Sequence, residues 1–315
     1  MPEGKVNFSH GIMFHHFHDD RHLPAQGSLS SNDFLEMLEW LGDRYSLIGA
    51  REYLKKLESC SLAANDICLS FDDALLCQYD IAVPILAKYD LEAFFFVYSS
   101  AFTKNPDKLE IFRYFRTNNF TDIDDFYAHF FAIVEAELAS EFSRLQKVYE
   151  KLNYLGAFPF YSENDKWFRY LRDQVLGEAR YEEIMLGMMS KIDFSPQDIS
   201  QDIWMSDRNL KDLASRGHLV GLHSYNHPTQ MSRLSFDEQY YQYTENFAHL
   251  RSIVGDVVSM SHPCGDYNED TLKILESLGL KIGFRSSLSA GKTEHKFEVP
   301  RDDHANILRE MKSEI

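Results

Sequence analysis

Two stretches of this chain, Asp66–Phe71 (DICLSF) and Glu92–Ser99 (EAFFFVYS), are apolar along most of their length. They lack the alternation of a sheet that shows one face to water, so both faces must be covered. The segment between them, DIAVPILAKYD, has helical spacing. Upstream, GIMFHHF reads as a short strand. SSNDFLEMLEWLGDRY reads as a helix with Ser or Asn at its cap and Phe34, Leu38 and Leu41 on one face. Strands of this kind alternating with helices predict a parallel sheet wrapped by helices.

The pattern breaks near Thr103. From there to about Gln201 the sequence carries aromatic and charged residues at helical spacing, with little strand signal. The alternation then resumes. MSDRNLKDLASRG predicts a helix closed by Gly217, and HLVGLHS a strand. A long helix follows over SFDEQYYQYTENFAHLRSIVG, then a strand and turn in VVSMSHPCG, a helix in NEDTLKILESLGL and a strand in KIGFRSS. The economical description is an α/β barrel formed by residues 1–103 and 202–315, with residues 104–201 as a helical insertion.

A chain of 315 residues with 44% hydrophobic content can bury a core of that size. Its net charge of −17 argues against nucleic acid and anionic lipid as partners, since both need a basic surface. A neutral or cationic substrate fits better. The four cysteines, Cys60, Cys68, Cys77 and Cys264, form no C-x-x-C pair, which argues against a structural zinc site or a dense disulfide framework. MPEGKVNFSHGIMFHHFHDD does not read as a signal peptide, and no apolar run reaches the length of a membrane span. The expectation is a soluble cytoplasmic protein.

Four polar clusters follow predicted strands. They are HHFHDD (His15–Asp20), the pair Asp72–Asp73, HSYNH (His223–His227) and SHPCGDYN (Ser261–Asn268). Each has an ordinary structural explanation: a helix cap, surface histidines, a solvated loop or a plain turn. Their joint position is more informative, because sites in parallel α/β folds gather at the carboxyl ends of the strands. One carboxylate and two imidazoles, with coordination positions left open, suit catalytic zinc.

The same residues resemble the polysaccharide deacetylases (carbohydrate esterase family 4, the NodB homology domain). That family carries T-F-D-D-G after a strand, then H-[ST]-x-x-H and R-x-P-x-G, often with an early Y-H. Here the counterparts are Ser70-Phe71-Asp72-Asp73-Ala74, His223-Ser224-Tyr225-Asn226-His227, Ser261-His262-Pro263-Cys264-Gly265 and Phe14-His15-His16. VPILAKYDLEAFFFV and LASRGHLVGLHSYNH also look like the family's connecting segments, so the resemblance spans roughly residues 8–103 and 203–302.

The resemblance implies a distorted (β/α) barrel of the NodB type and a hydrolase that removes an N-acetyl group from an amino-sugar-containing saccharide. It implies Asp73, His223 and His227 as ligands of a divalent ion, with zinc, cobalt or nickel chemically suitable. Asp72 would be the general base. The turn Pro263–Cys264–Gly265 would hold the oxyanion through the Cys264 amide. The general acid would be His304, oriented by Asp302 or Asp303, or else His15. Two departures stand out: Ala74 replaces the family's Gly, and Ser261 its Arg, so Arg301 becomes the candidate cation beside Asp72. The expected substrate is an intracellular polysaccharide or glycan precursor. A non-sugar amidase and a catalytically silent carbohydrate-binding protein are the competing classes. The aromatic residues of the insertion would either wall a sugar cleft or pack a helical core.

Overall fold

The computed structural model describes residues 6–156, 161–196, 199–289, 291 and 295–313. Its contacts divide the chain into two compact units, residues 1–107 with 200–315, and residues 108–199.

The first unit begins with β1 (His10–Phe14), α1 (Ser31–Arg44), β2 (Ser46–Leu47), α2 (Ala50–Glu58), β3 (Asp66–Phe71), α3 (Val83–Lys88) and β4 (Phe94–Val97). The second unit holds α4 (Leu109–Asn118), α5 (Ile123–Glu137), α6 (Phe142–Tyr149), α7 (Glu163–Tyr170) and α8 (Gly177–Ser190). The chain then returns to the first unit with α9 (Ser200–Ile203), α10 (Asp207–Ser215), β5 (Leu219–Leu222), α11 (Phe236–Val254) and β6 (Ser259–Ser261). It ends with α12 (Glu269–Ser277), β7 (Ile282–Phe284), β8 (Arg301–Asp303) and α13 (His304–Ser313).

All strand pairs of the first unit are parallel, in the order β7-β6-β5-β4-β3-β1-β8, with β2 attached to β3. The two ends of this order nearly meet. Just ahead of β8, Val299 donates its N–H to Gly283 O at 2.9 Å and accepts from Arg285 N at 2.9 Å. The expected α/β barrel is therefore present, as a parallel sheet almost closed on itself.

Side chains alternate across such a sheet. Phe94 and Phe96 stack on one another at 5.9 Å and join Tyr53, Cys68, Ile282 and Phe284 in one buried cluster. Phe95, from the opposite face of β4, stacks on Phe71 at 4.7 Å, and Phe71 on Phe14 at 5.2 Å. Along β3 the period of two puts Cys68, Ser70 and Asp72 on a shared face. At Gly11 on β1 the packing is tight: a Cβ there would lie 3.1 Å from Arg301 Cγ and 3.3 Å from Phe284.

Most elements lie where the sequence places them, and Gly217 does close α10, with φ of 94°. Several elements have no counterpart in the sequence pattern, β2, α2, β8 and α13 among them; β8 reads RDD and carries no apolar signal. In the second unit the aromatic residues pack one another: Phe126, Phe130, Phe168 and Tyr181 are buried with ring centroids 5.0–6.1 Å apart along their contacts. These four therefore build the core of the helices.

Candidate active site

Asp72 follows directly from β3 and keeps its inward direction. The next two residues do not continue the strand: Asp73 has φ of 76° and Ala74 of 57°. Left-handed backbone is costly for residues with a Cβ and persists only where the surroundings over-determine it. Here Gln78, fully buried, donates from Nε2 to Asp72 O at 2.6 Å and to His15 O at 2.8 Å, while Ala74 O accepts from Met205 N at 2.8 Å. The family's Gly position thus requires positive φ, and Ala74 adopts it. The change of direction separates the two carboxylates.

Asp73 Oδ1 turns toward the loop after β5. It lies 3.4 Å from His223 Nε2 and 3.5 Å from His227 Nε2. That oxygen is buried and has no hydrogen-bond partner. The donor atoms of Asp73, His223 and His227 all fall within 4.8 Å of one another. Tetrahedral zinc with bonds of ~2.0–2.1 Å separates its ligand atoms by ~3.4 Å, so this spacing fits a divalent cation. The tautomer fits as well. His223 Nδ1 lies 2.9 Å from the carbonyl of Ser261, and a proton donated there leaves the Nε2 lone pair facing Asp73.

Asp72 has different company. Arg301 is completely buried, and its Nη1 and Nη2 donate to Asp72 Oδ1 and Oδ2 at 2.7 and 2.8 Å. The remaining guanidinium donors go to Ser70 Oγ (3.1 Å), Ser261 Oγ (2.6 Å) and Arg285 O (2.7 Å). All five guanidinium N–H groups are thereby used. Burial would raise the Asp72 pKa, but Arg301, with His223 and His15, holds it below the usual carboxylate value. Burial is likewise outweighed at Asp73, by His223, His227 and His15. Ser261, where the family has Arg, is small enough to let the Arg301 guanidinium reach Asp72 from β8 and donates to Asp72 Oδ2 at 3.3 Å.

The two candidate acids are placed differently. His304 is buried; its Nε2 lies 2.9 Å from Gly27 O, and its Nδ1 lies 3.3 Å from Met13 O and 3.4 Å from Asp303 Oδ1. Both of its nitrogens face protein oxygens, which sets it against donating a proton to a ligand. His15 is only partly buried and lies close enough to Asp72 and Asp73 for its charge to lower both. It also shares a cluster with Asp303 and His304. Asp302 turns away, accepting from Asp303 N and Asn306 Nδ2. Cys264 is exposed on the turn after β6, with φ of 53°, followed by Gly265 with φ of 69° and preceded by buried Pro263.

Some participants carried no sequence signal. Gln78, Gln242 and Asn246 each present an amide to this site's backbone from a helical segment. Trp204 lies beside the Asp73–Ala74 turn through a bridge to Leu75, edge-on to Tyr98, whose ring is 5.6 Å from His227.

The sequence model of the family described as polysaccharide deacetylase matches residues 198–283, a span that holds His223, His227 and the Ser261–Gly265 turn. The chain resembles the polysaccharide deacetylases. Among solved structures, Streptococcus pyogenes deacetylase PplD in complex with acetate aligns with a TM-score of 0.52 at 16% identity, over 93% of this chain and 90% of that one. IcaB from Ammonifex degensii aligns at 0.53 and 13%, over 94% and 90%. The BpsB deacetylase domain from Bordetella bronchiseptica aligns at 0.53 and 14%, over 95% and 96%. At these identities the likeness establishes the NodB-type barrel. No curated protein sequence matches the chain. Among the described residues no helix is long and apolar enough to cross a membrane.

Proposed function

We propose that this protein is a divalent-cation-dependent hydrolase that removes acetyl groups from an N-acetylated saccharide. The observation that carries the reading is the buried Asp73 Oδ1, which makes no hydrogen bond and faces two imidazole nitrogens at ligand-to-ligand spacing. The match of residues 198–283 to the deacetylase family supports the reaction class.

Asp73, His223 and His227 hold the cation, for which zinc, cobalt or nickel is suitable. When bound, such an ion acidifies water and polarises the acetyl carbonyl. Asp72, held ionised by Arg301, would be the proton acceptor. Its Oδ2, 3.9 Å from His223 Nε2, is the oxygen on the ligand side. Asp72 takes a proton as the water oxygen bonds to the acetyl carbon, and the amide N–H of Cys264 receives the negative carbonyl oxygen. The C–N bond then breaks, and His15 gives the departing nitrogen its proton. The products are acetate and a free amine. The helical unit is proposed as a separate domain inserted in the barrel.

The test is acetate release from a panel of N-acetylated saccharides, with and without added divalent ion. The reading requires release that chelation abolishes and metal restores. Release unaffected by chelation, or none from any saccharide by metal-loaded protein, would refute it.

A further inference from the structure

The two imidazoles that face Asp73 sit at the ends of a five-residue loop, His223–His227, that is not self-supporting. Ser224 and His227 both have left-handed backbone, with φ of 68° and 53°. One internal bond, from His227 N to Ser224 Oγ at 3.0 Å, ties the loop to itself. Two further contacts come from the chain beyond β4, where Ser99 N and Ser100 N donate to Ser224 O and Tyr225 O at 3.3 and 2.8 Å. The loop's own central amides point the other way, toward α11.

There they meet two buried side-chain amides one helical turn apart, and so on one face. Gln242 Oε1 accepts both Tyr225 N at 3.0 Å and Asn226 N at 2.8 Å. Asn246 Oδ1 accepts His223 N at 3.0 Å, a donor it shares with Val97 O at 3.1 Å. Asn246 Nδ2 returns bonds to Val97 O at 2.9 Å and Ser99 Oγ at 2.7 Å, and Ser99 Oγ in turn meets His249 Nδ1 at 2.8 Å. Asn246 thereby joins the carboxyl ends of β4 and β5, and Gln242 fixes the loop that leaves β5.

We propose that Gln242 and Asn246 are positioning residues that hold His223 and His227 at the spacing a divalent cation needs. The inference rests on the cation reading above. Neither residue touches the cation or the substrate. Each acts through main-chain amides, and loss of an acceptor leaves Tyr225 and Asn226 amides to be satisfied by distorting the loop. Gln242 is the sharper test, because one oxygen serves two donors.

The experiment compares the parent protein with Gln242→Met, which keeps length and loses the acceptor, and Gln242→Glu, which keeps the acceptor. Zinc affinity is read by competition with a chromogenic chelator, and thermal melting of the metal-free proteins reports folding separately. Hydrogen exchange at Tyr225 and Asn226 is followed without metal. The expected result is zinc affinity roughly 10- to 100-fold weaker in Gln242→Met, as for other residues that orient metal ligands, with Gln242→Glu near the parent. Asn246→Leu should weaken it similarly. Parent-like affinity in Gln242→Met overturns the proposal, whatever happens to its melting temperature. If the parent itself binds no zinc, the cation reading fails. The positioning role is then judged by exchange: about tenfold faster at the two amides in Gln242→Met supports it, and unchanged rates overturn it.

Discussion

The two units of this protein bury different kinds of side chain. Among the described residues of the helical unit, the buried ionisable acids are Glu110 and Asp165, and the Asp165 carboxylate is bonded to the Tyr127 hydroxyl. The rest of its interior is aromatic and aliphatic, with arginines laid against the rings: the guanidinium carbons of Arg116 and Arg172 lie 5.2 and 5.8 Å from the centre of the Phe168 ring. The barrel unit buries Asp72, Asp73, His223 and His304 at or just beyond the carboxyl ends of strands, and Arg301 at the start of β8. Charges are costly to bury unless paired. The pairing is complete at Asp72 and incomplete at Asp73, and that asymmetry separates a site from a core. Substitutions at the strand ends should therefore register in chemistry, and those in the helical unit in stability alone.

The largest effect is expected at Asp72. Replacement by Asn keeps the shape and removes the base, so acetate release should fall by about 10²–10⁴-fold while zinc affinity persists. Equal turnover would remove Asp72 from the chemistry. Arg301→Met comes next, because it leaves a buried carboxylate unpaired; denaturant unfolding should show a loss of about 3–5 kcal/mol, with turnover lost as well. Unchanged turnover in a folded Arg301 variant would break the link between Arg301 and Asp72.

Phe168→Ala in the helical unit sharpens the contrast from the other side. Truncating a fully enclosed Phe costs about 3–5 kcal/mol, yet zinc affinity should match the parent. A joint loss of stability and affinity would contradict the division drawn above.

A smaller effect concerns pH. His218 is buried and accepts Ala93 N–H at Nδ1, and burial lowers its pKa to about 4. An unfolded histidine titrates near 6.5, so between about 6.5 and 4 the unfolded chain binds a proton that the native state refuses. Stability should fall as pH drops through that window, by on the order of 3 kcal/mol, and His218→Gln should flatten the dependence. Smallest of all, Ala74→Gly should relieve left-handed strain and raise the melting free energy by about 1 kcal/mol. A loss at that position would mean the Ala methyl contributes packing that outweighs the strain.

The sequence was most legible where apolar pattern and burial coincide. Asp66–Phe71 is the strand the pattern marks, to the residue. It was least legible where burial is polar. β8 consists of Arg301, Asp302 and Asp303, and nothing in RDD announces a strand whose Arg is completely enclosed. Its burial depends on a carboxylate 229 positions away, an interaction no local window contains. The Asp72–Asp73 and His223–His227 clusters stood out because they interrupt apolar strands. Gln242 and Asn246 did not, since polar residues on a long helix ordinarily face water. The contrast between His15 and His304 also depended on geometry, because only the fold shows which ring nitrogens are already engaged.

Asp73, His223 and His227 should together bind one divalent cation. Calorimetric titration of metal-free protein with zinc tests this most directly, in the parent and in His227→Ala. The predicted result is a single ion bound per chain in the parent, with that binding lost in the variant. Binding of equal strength in both proteins, or none in the parent, would contradict the claim.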